Sequence, residues 1–177
     1  TAVISEPEVP ADDAYERASA IAERLQQRGL PNFYGAQRFG NEGDNAERGR
    51  AIIKGSDQEG RRWLRRLLTN AYQSELFNRW LARRIESGHF DALLPGDVAK
   101  KTDTGGLFDV EDIEAERPRF RNRDITYTGP MYGSDLWWAS DTAGELERRV
   151  FEEADVTEGE LDEAGLRGSR RRAVIFP

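Results

Sequence analysis

A twelve-residue segment, GLPNFYGAQRFG at positions 29–40, holds the side chains of this sequence best suited to contact another molecule. Its glycines allow backbone angles that other residues avoid, and its proline disfavours helix at the residue before it. Three aromatic residues can anchor such an irregular loop, and the polar groups that it would present are Asn32, Gln37 and Arg38. A packed turn between two helices is the alternative interpretation, because glycine and proline mark turns more often than sites.

The polar groups of this segment can each be interpreted in two ways. Arg38 suits a bidentate contact with phosphate or a base, or it can tie the loop to backbone carbonyls. We expect Asn32 and Gln37 to bond the backbone of the loop itself. The aromatic residues are expected in the core, although an exposed Tyr34 can stack on a base.

Two arginine clusters are further candidates for binding. Helical spacing aligns Arg61 with Arg65 and Arg62 with Arg66, which would make a stripe able to bind phosphates. The second cluster comprises Arg170, Arg171 and Arg172. The alternative for both clusters is a solvated surface without a ligand, because a run of charged residues usually just faces water.

The charge is distributed unevenly along the chain. The net charge of −7 argues against a uniformly basic nucleic-acid binder. However, residues 48–84 hold ten basic residues against three acidic ones, and residues 141–165 hold ten acidic against two basic. A local basic face can therefore meet phosphates, unless members such as Arg83 and Arg84 pair with acids instead.

The composition excludes several classes of protein. Without cysteine, and with His89 as the single histidine, the chain can form no disulfide or thiolate metal site, and a histidine-cluster site is nearly excluded. We expect no metal and no cofactor. No apolar run approaches a membrane span and no signal peptide opens the chain, so a cytoplasmic protein without membrane contact is expected. No spaced pair of carboxylates suggests a general acid and base.

The periodicity predicts a single α+β domain with helices in its N-terminal half, small β elements in the middle, then a helix and a strand. Helices are predicted at about 12–28, 56–87 and 142–154, with a break near Asn70 in the second. The polar stretch 41–50 is predicted to be a tight excursion. Two short strands with a hairpin are predicted within 91–116, followed by strand-like alternation around Phe120, Ile125 and Tyr127, and then a basic loop that leads into a C-terminal strand.

Residues 29–40 resemble the second signature motif of the TruD family of tRNA pseudouridine synthases. Ten positions agree with that motif: Gly29, Pro31, Asn32, Phe33, Tyr34, Gly35, Gln37, Arg38, Phe39 and Gly40. Further family segments follow in the family's order. They match at Phe77, Asn78, Leu81 and Arg84, at Gly96 and Asp97, at Thr128, Gly129, Pro130 and Gly133, and in GLRGSRR at 165–171.

This resemblance implies an isomerase that flips a uridine, uridine thirteen of certain tRNAs, out of the RNA stack and rejoins its base to the ribose through carbon. It implies no cofactor and no metal. It also divides the chain into a lead-in with an N-terminal helix, 1–28, and the family's inserted domain, 29–177. The expected partners are tRNA and a catalytic domain of the same parent chain, and we expect a monomer.

The resemblance leaves one part of the family pattern unmatched. The catalytic aspartate of the family lies in a Lys-Asp motif upstream of the signature motif, and this chain contains no Lys-Asp dipeptide. We therefore expect no catalytic residue in this chain, with the aspartate upstream, and no activity from the chain alone. The RNA-binding candidates are Asn32, Tyr34, Gln37, Arg38, Arg61, Arg62, Arg65, Arg66, Arg170 and Arg171. The alternative function is a non-catalytic RNA- or protein-binding module that kept the family pattern.

Overall fold

The computed structural model describes residues 10–176, and within them the predicted α+β class is confirmed. The helices of this part are α1 (Ala11–Arg28), α2 (Asn45–Ile53), α3 (Arg62–Glu86), α4 (Ile113–Arg121), α5 (Asp141–Ala154) and α6 (Glu158–Glu163). Its strands are β1 (Leu30–Pro31), β2 (Val98–Lys101), β3 (Leu107–Asp109), β4 (Ile125–Met131), β5 (Ser169–Arg172) and β6 (Val174–Ile175). A 3-10 helix spans Ala36–Phe39. The predicted lead-in lies, apart from Pro10, outside the described residues.

The strands form one antiparallel sheet and one small ribbon. The sheet has the order β3-β2-β4-β5, and the ribbon pairs β1 with β6. In the sheet, Ala99 lies opposite Tyr127, and Thr128 lies opposite Arg172. Every residue of β4 is buried, because β4 is an inner strand with α3 packed against it. This strand therefore forms the centre of the molecule.

Helix α3 is the longest element and supplies much of the core. Its side chains Tyr72, Leu76, Phe77 and Trp80 are all buried. At the crossing with β4, a Cβ atom on Gly129 would lie 2.1 Å from the Trp80 ring, so only glycine permits this approach. Burial of such aromatic and aliphatic side chains is the main stabilising contribution to a fold of this kind.

The prediction of a tight excursion at 41–50 was wrong, because α2 begins at Asn45 and packs against α3. Ala46 and Gly49 face the neighbouring helix and are buried. A Cβ atom on Gly49 would lie 2.1 Å from the Leu68 carbonyl oxygen, so this glycine permits close contact between two helices and does not mark a turn. Glycine occurs both in turns and at close contacts between elements, and only the tertiary structure shows which role a given glycine has.

The prediction for α3 was correct in kind but wrong in two details. The helix begins at Arg62, later than predicted. The Ser56 hydroxyl donates to the Ala51 carbonyl oxygen at 3.0 Å, at the C-terminal end of α2, and therefore does not cap α3. The helix also runs unbroken through Asn70. Tertiary packing of its apolar face outweighs the weak helix propensity of a single asparagine.

Two further helices were not predicted, and the basic segment before the C-terminus is itself a strand. Helix α4 occupies part of the stretch assigned to strands, and Asp112 caps it by accepting hydrogen bonds from the Glu114 and Ala115 amides. Helix α6 lies in the acidic connector, where Thr157 and Glu160 form a capping box. The stretch expected to be a basic loop forms β5, which pairs with β4.

Helix α1 confirms the prediction of a helix at about 12–28. Its apolar stripe, however, is largely exposed at Tyr15 and Ile21, and Leu25 is half-buried. Gly29 ends the helix with a φ of 78°, and a Cβ atom there would lie 2.4 Å from Val174. The position therefore requires glycine for both conformation and space.

Candidate nucleic-acid interface

The segment 29–40, hereafter the signature loop, is held by Asn32 to β5 and to Ala173, the residue that follows it. Its amide nitrogen Nδ2 donates to the Arg172 carbonyl at 2.7 Å, and its oxygen Oδ1 accepts from the Arg171 guanidinium at 2.7 Å. Its backbone N–H donates to the Ala173 carbonyl at 2.9 Å. Asn32 thus joins the signature loop to a strand about 140 residues away, rather than bonding only the loop itself.

The other side of the signature loop is held to α3. The side chain of Asn78 accepts from the Tyr34 amide at 2.8 Å and donates to the Tyr34 carbonyl at 2.9 Å, which satisfies both backbone groups. The Arg38 guanidinium donates to Ser74 Oγ at 3.0 Å and to the Asn70 carbonyl at 3.4 Å. These contacts fix the loop along one face of the helix.

Tyr34 is surrounded by cationic and aromatic groups. The guanidinium carbon of Arg171 lies 4.0 Å from the centroid of its ring, and that of Arg38 lies 5.5 Å from it. The ring packs edge-on against Phe77 at 5.9 Å, and its hydroxyl donates to the Met131 sulfur at 3.7 Å. Tyr34 therefore serves as an anchor between arginines, as expected for a core aromatic, and its ring is not an open stacking surface.

Among the loop candidates, Gln37 differs from the others. Asn32, Tyr34 and Arg38 are half-buried and hydrogen-bonded, whereas Gln37 is exposed on the 3-10 helix and makes no side-chain hydrogen bond within the described part of the chain. The neighbouring Phe33 is also exposed. The signature loop is thus a rigid support that presents these two side chains to solvent.

The arginines at the start of α3 are not equivalent. Arg61 precedes the helix and pairs with Glu59 at 3.0 Å. The hydrogen bond from Arg61 lowers the pKa of the Glu59 carboxyl to about 2. Arg62, Arg65 and Arg66 form no ion pair within residues 10–176.

These three unpaired arginines line a cavity of about 420 Å³ between α3 and the end of α6. Thr69, Asn70 and Gly165 contribute to the same wall. Several guanidinium groups around one open cavity give it a positive potential, which favours an anion such as a backbone phosphate.

The second arginine cluster is divided by the alternation of β5. Arg171 lies against Tyr34, whereas the side chain of Arg170 is 1% exposed and pairs with Glu147 at 2.8 Å. Arg170 also donates to both oxygens of Thr128. Burial raises the pKa of Glu147, and the charge of Arg170 opposes that rise. Arg170 is therefore inaccessible to a ligand and is not among the proposed RNA contacts.

A second buried ion pair joins Arg84 to Asp97. The sequence allowed Arg84 to pair with an acidic residue but did not indicate which one. Two parallel contacts of 2.6 and 2.7 Å join the guanidinium to the carboxylate, and both side chains are fully buried. Asp97 also accepts from the Leu94 amide, which is the turn chemistry expected of a Pro-Gly-Asp sequence. The position of Arg84 on the apolar face of α3, beside Trp80 and Ile85, was the available signal.

No group of three or more His, Cys, Asp or Glu side chains suited to a metal ion occurs in the described part of the chain. In the same part, no helix has the length and apolar character needed to cross a membrane.

The fold has a counterpart among solved structures. A crystal structure assigned to tRNA pseudouridine synthase D (TruD) from Methanosarcina mazei matches with a TM-score of 0.82, over 97% of this chain and 58% of that chain. The sequences are 19% identical, so this likeness establishes the fold alone. It defines the class of the molecule as an α+β unit of the kind found in TruD structures.

Sequence comparison establishes the family. The sequence model of tRNA pseudouridine synthase D (TruD) matches residues 1–60 and 58–177. The tRNA pseudouridine synthase D of Anaeromyxobacter dehalogenans (strain 2CP-C) is 47% identical over 167 residues, covering 90% of this chain and 48% of that protein. A tRNA pseudouridine synthase D of Thermus thermophilus is 40% identical over 154 residues, covering 87% and 42%. The chain belongs to the TruD family, and it spans about half the length of these curated relatives.

Proposed function

We propose that this chain is the RNA-contacting part of a tRNA pseudouridine synthase, which isomerises a uridine of tRNA, uridine thirteen by family resemblance. One observation carries the proposal. Asn70 accepts a hydrogen bond from Arg38 of the signature loop and also lines the cavity of Arg62, Arg65 and Arg66. The segment that matches the family and the unpaired arginines therefore form one continuous surface of α3.

In this proposal the two parts of the surface have different tasks. The unpaired arginines bind backbone phosphates, which positions the RNA without reading its sequence. The signature loop, held rigid by Asn32 and Asn78, presents Gln37 and Phe33 beside the flipped nucleotide. A rigid first contact lowers the entropic cost of ordering an extruded base.

We further propose that residues 29–177 act as an inserted domain and that a catalytic domain of the same polypeptide supplies the aspartate. Two facts support this division. The 177 residues contain no Lys-Asp dipeptide, and the relatives are about twice as long as the matched region. We propose that the protein acts as a monomer in the cytoplasm, without cofactor or metal.

A chimera tests the proposal directly. The matched 167 residues of the Anaeromyxobacter dehalogenans relative are replaced by this chain, and tritium release from uracil-labelled tRNA is measured. We expect pseudouridine formation by the chimera and none by the 177-residue chain. The unmodified relative is the positive control, and circular dichroism checks folding. A folded chimera that binds tRNA and releases no tritium would contradict the proposal.

A second candidate function is a binding module without catalysis, which the missing Lys-Asp dipeptide favours. The same chimera separates the two candidates. Activity of the chimera excludes the binding module, whereas salt-dependent tRNA binding by the chain together with an inactive chimera supports it.

A further inference from the structure

One face of α3 continues beyond the signature loop. Spacings of four, three, four and four residues align five side chains on this face: Trp63, Leu67, Asn70, Ser74 and Asn78. The signature loop bonds the last three of these residues: Arg38 donates to the Asn70 carbonyl and to the Ser74 hydroxyl, and the Tyr34 amide donates to the Asn78 side chain. The first two lie beyond the end of the loop, and their side chains face solvent.

Trp63 is the most exposed of the four tryptophans, all of which lie in the described part of the chain. The residue is 64% exposed, and the neighbouring Leu67 is 39% exposed. Trp80 is buried in the core, and Trp138 packs against Tyr132 and Phe151. An indole on the surface exposes a large apolar area, which favours a binding partner with a flat apolar face.

The charge around Trp63 indicates the kind of partner. Residues 61–73 contain four arginines and no acidic residue. The Arg61 guanidinium lies 5.9 Å from the centroid of the Trp63 ring, and helical spacing places Arg66, three residues further on, beside it. Arg62 and Arg66 line the same cavity of α3. Glu59 pairs with Arg61, but Arg62, Arg65 and Arg66 form no ion pair in the described part of the chain, so the surroundings of the ring are mainly basic. An exposed aromatic ring in such surroundings matches single-stranded RNA, which combines stacking bases with phosphates, better than it matches an apolar protein surface.

We propose that Trp63 is a stacking platform for an unpaired nucleobase of RNA bound along α3, with Arg62 and Arg66 holding the adjoining phosphates. This inference rests on the proposed function and adds a second contact point to it. Trp63 precedes Asn70 by seven residues, which is about 10 Å along a helix. The stacked base is therefore a nucleotide that flanks the one at the signature loop, and Trp63 selects unpaired RNA next to the target.

The test measures binding of a tRNA transcript to the 177-residue chain at several salt concentrations. Because base–aromatic stacking has a known size, we expect Trp63→Leu to weaken binding about tenfold without changing the salt slope. We expect Trp63→Phe to retain most of the affinity. Binding should also quench tryptophan fluorescence in the wild type and quench it much less in Trp63→Leu.

Trp137 provides the matched control. It is 46% exposed, and its indole donates to Asp109 on the edge strand β3. We expect Trp137→Leu to leave the affinity for tRNA unchanged.

The possible outcomes separate this inference from the proposed function. Salt-dependent tRNA binding that Trp63→Leu leaves at wild-type strength overturns the stacking platform and leaves the proposed function in place. Absence of tRNA binding by the wild-type chain contradicts both. Self-association that depends on Trp63, together with unchanged RNA affinity, would assign the residue to a protein interface and overturn the inference.

Discussion

Two groups of arginines that look alike in the sequence differ in their surroundings. Arg84 on α3 and Arg170 on β5 are buried, and each pairs with one carboxylate, Asp97 or Glu147. Arg62 and Arg66 are exposed on the first turns of α3, without an ion pair in the described part of the chain. The density of charge in the sequence therefore does not indicate function. The face of the helix or strand on which an arginine lies decides whether it stabilises the fold or is free to bind.

The physical basis is the cost of removing a charge from water. A buried guanidinium is tolerated only when a carboxylate and further acceptors replace its hydration. Arg84 meets this requirement with Asp97 and the His89 and Ala92 carbonyls. An exposed arginine keeps its hydration and contributes little to stability, so its charge is available to a ligand.

The largest expected effect is on the buried pair. Asp97→Ala leaves Arg84 charged and unpaired in the core, and we expect it to lower the free energy of unfolding by about 3–5 kcal/mol. Urea denaturation of the chain measures this change. The control is Glu153→Ala, which removes the exposed partner of Arg83 and should leave the midpoint nearly unchanged. Equal effects of the two substitutions would contradict the comparison.

Asn78 extends the comparison to a neutral, half-buried group. Asn78→Ala leaves the Tyr34 N–H and carbonyl without partners, which we expect to cost about 2 kcal/mol of stability. It should also abolish protection of the Tyr34 amide in hydrogen exchange. Asn41→Ala, at an exposed asparagine beside the loop, is the control. Retained protection in Asn78→Ala would show that this side chain does not hold the signature loop.

The sequence predicted the fold class and three of the helices because their apolar periodicity is long and strong. It also predicted the family, because ten specified positions of one short segment match a single motif. Helix α4 was missed because Pro118 disfavours a helix and the arginines around it alternate as in a strand. The only local indication of a helix was a single capping residue, Asp112.

The candidate site was harder to predict than the fold. Helical spacing correctly grouped the arginines of α3, but it did not show that Arg61 forms an ion pair with Glu59. In β5, neighbouring arginines look equivalent in the sequence, yet strand alternation directs Arg170 to Glu147 and Arg171 to Tyr34. Such assignments depend on partners far along the chain, which local patterns do not contain. Trp63 carried a visible signal, an aromatic residue within a basic run.

The exposed group is tested by its effect on RNA binding rather than on stability. We expect the double variant Arg62→Gln/Arg66→Gln to unfold at the wild-type midpoint and to reduce the salt slope of tRNA binding by about 2, one for each lost phosphate contact. The double variant Arg148→Gln/Arg149→Gln removes the same charge from exposed positions of α5 and is the control. If both pairs changed the slope equally, net charge rather than this surface would explain binding.

The smallest expected effect concerns Arg61. This residue shares a property with each group, because it is exposed like Arg62 and Arg66 and paired with a carboxylate like Arg84 and Arg170. The Glu59 carboxylate lies 3.0 Å from the Arg61 guanidinium and offsets part of its charge, so Arg61 attracts a phosphate less than its unpaired neighbours do. Glu59→Gln should therefore free Arg61 and steepen the salt slope by up to about 1. In the double variant Glu59→Gln/Arg61→Gln the slope should return to the wild-type value. If the slope stayed steep in the double variant, removal of the Glu59 charge would act by making the whole surface more positive. The ion pair with Glu59 would then not explain why Arg61 binds phosphate less than its neighbours do.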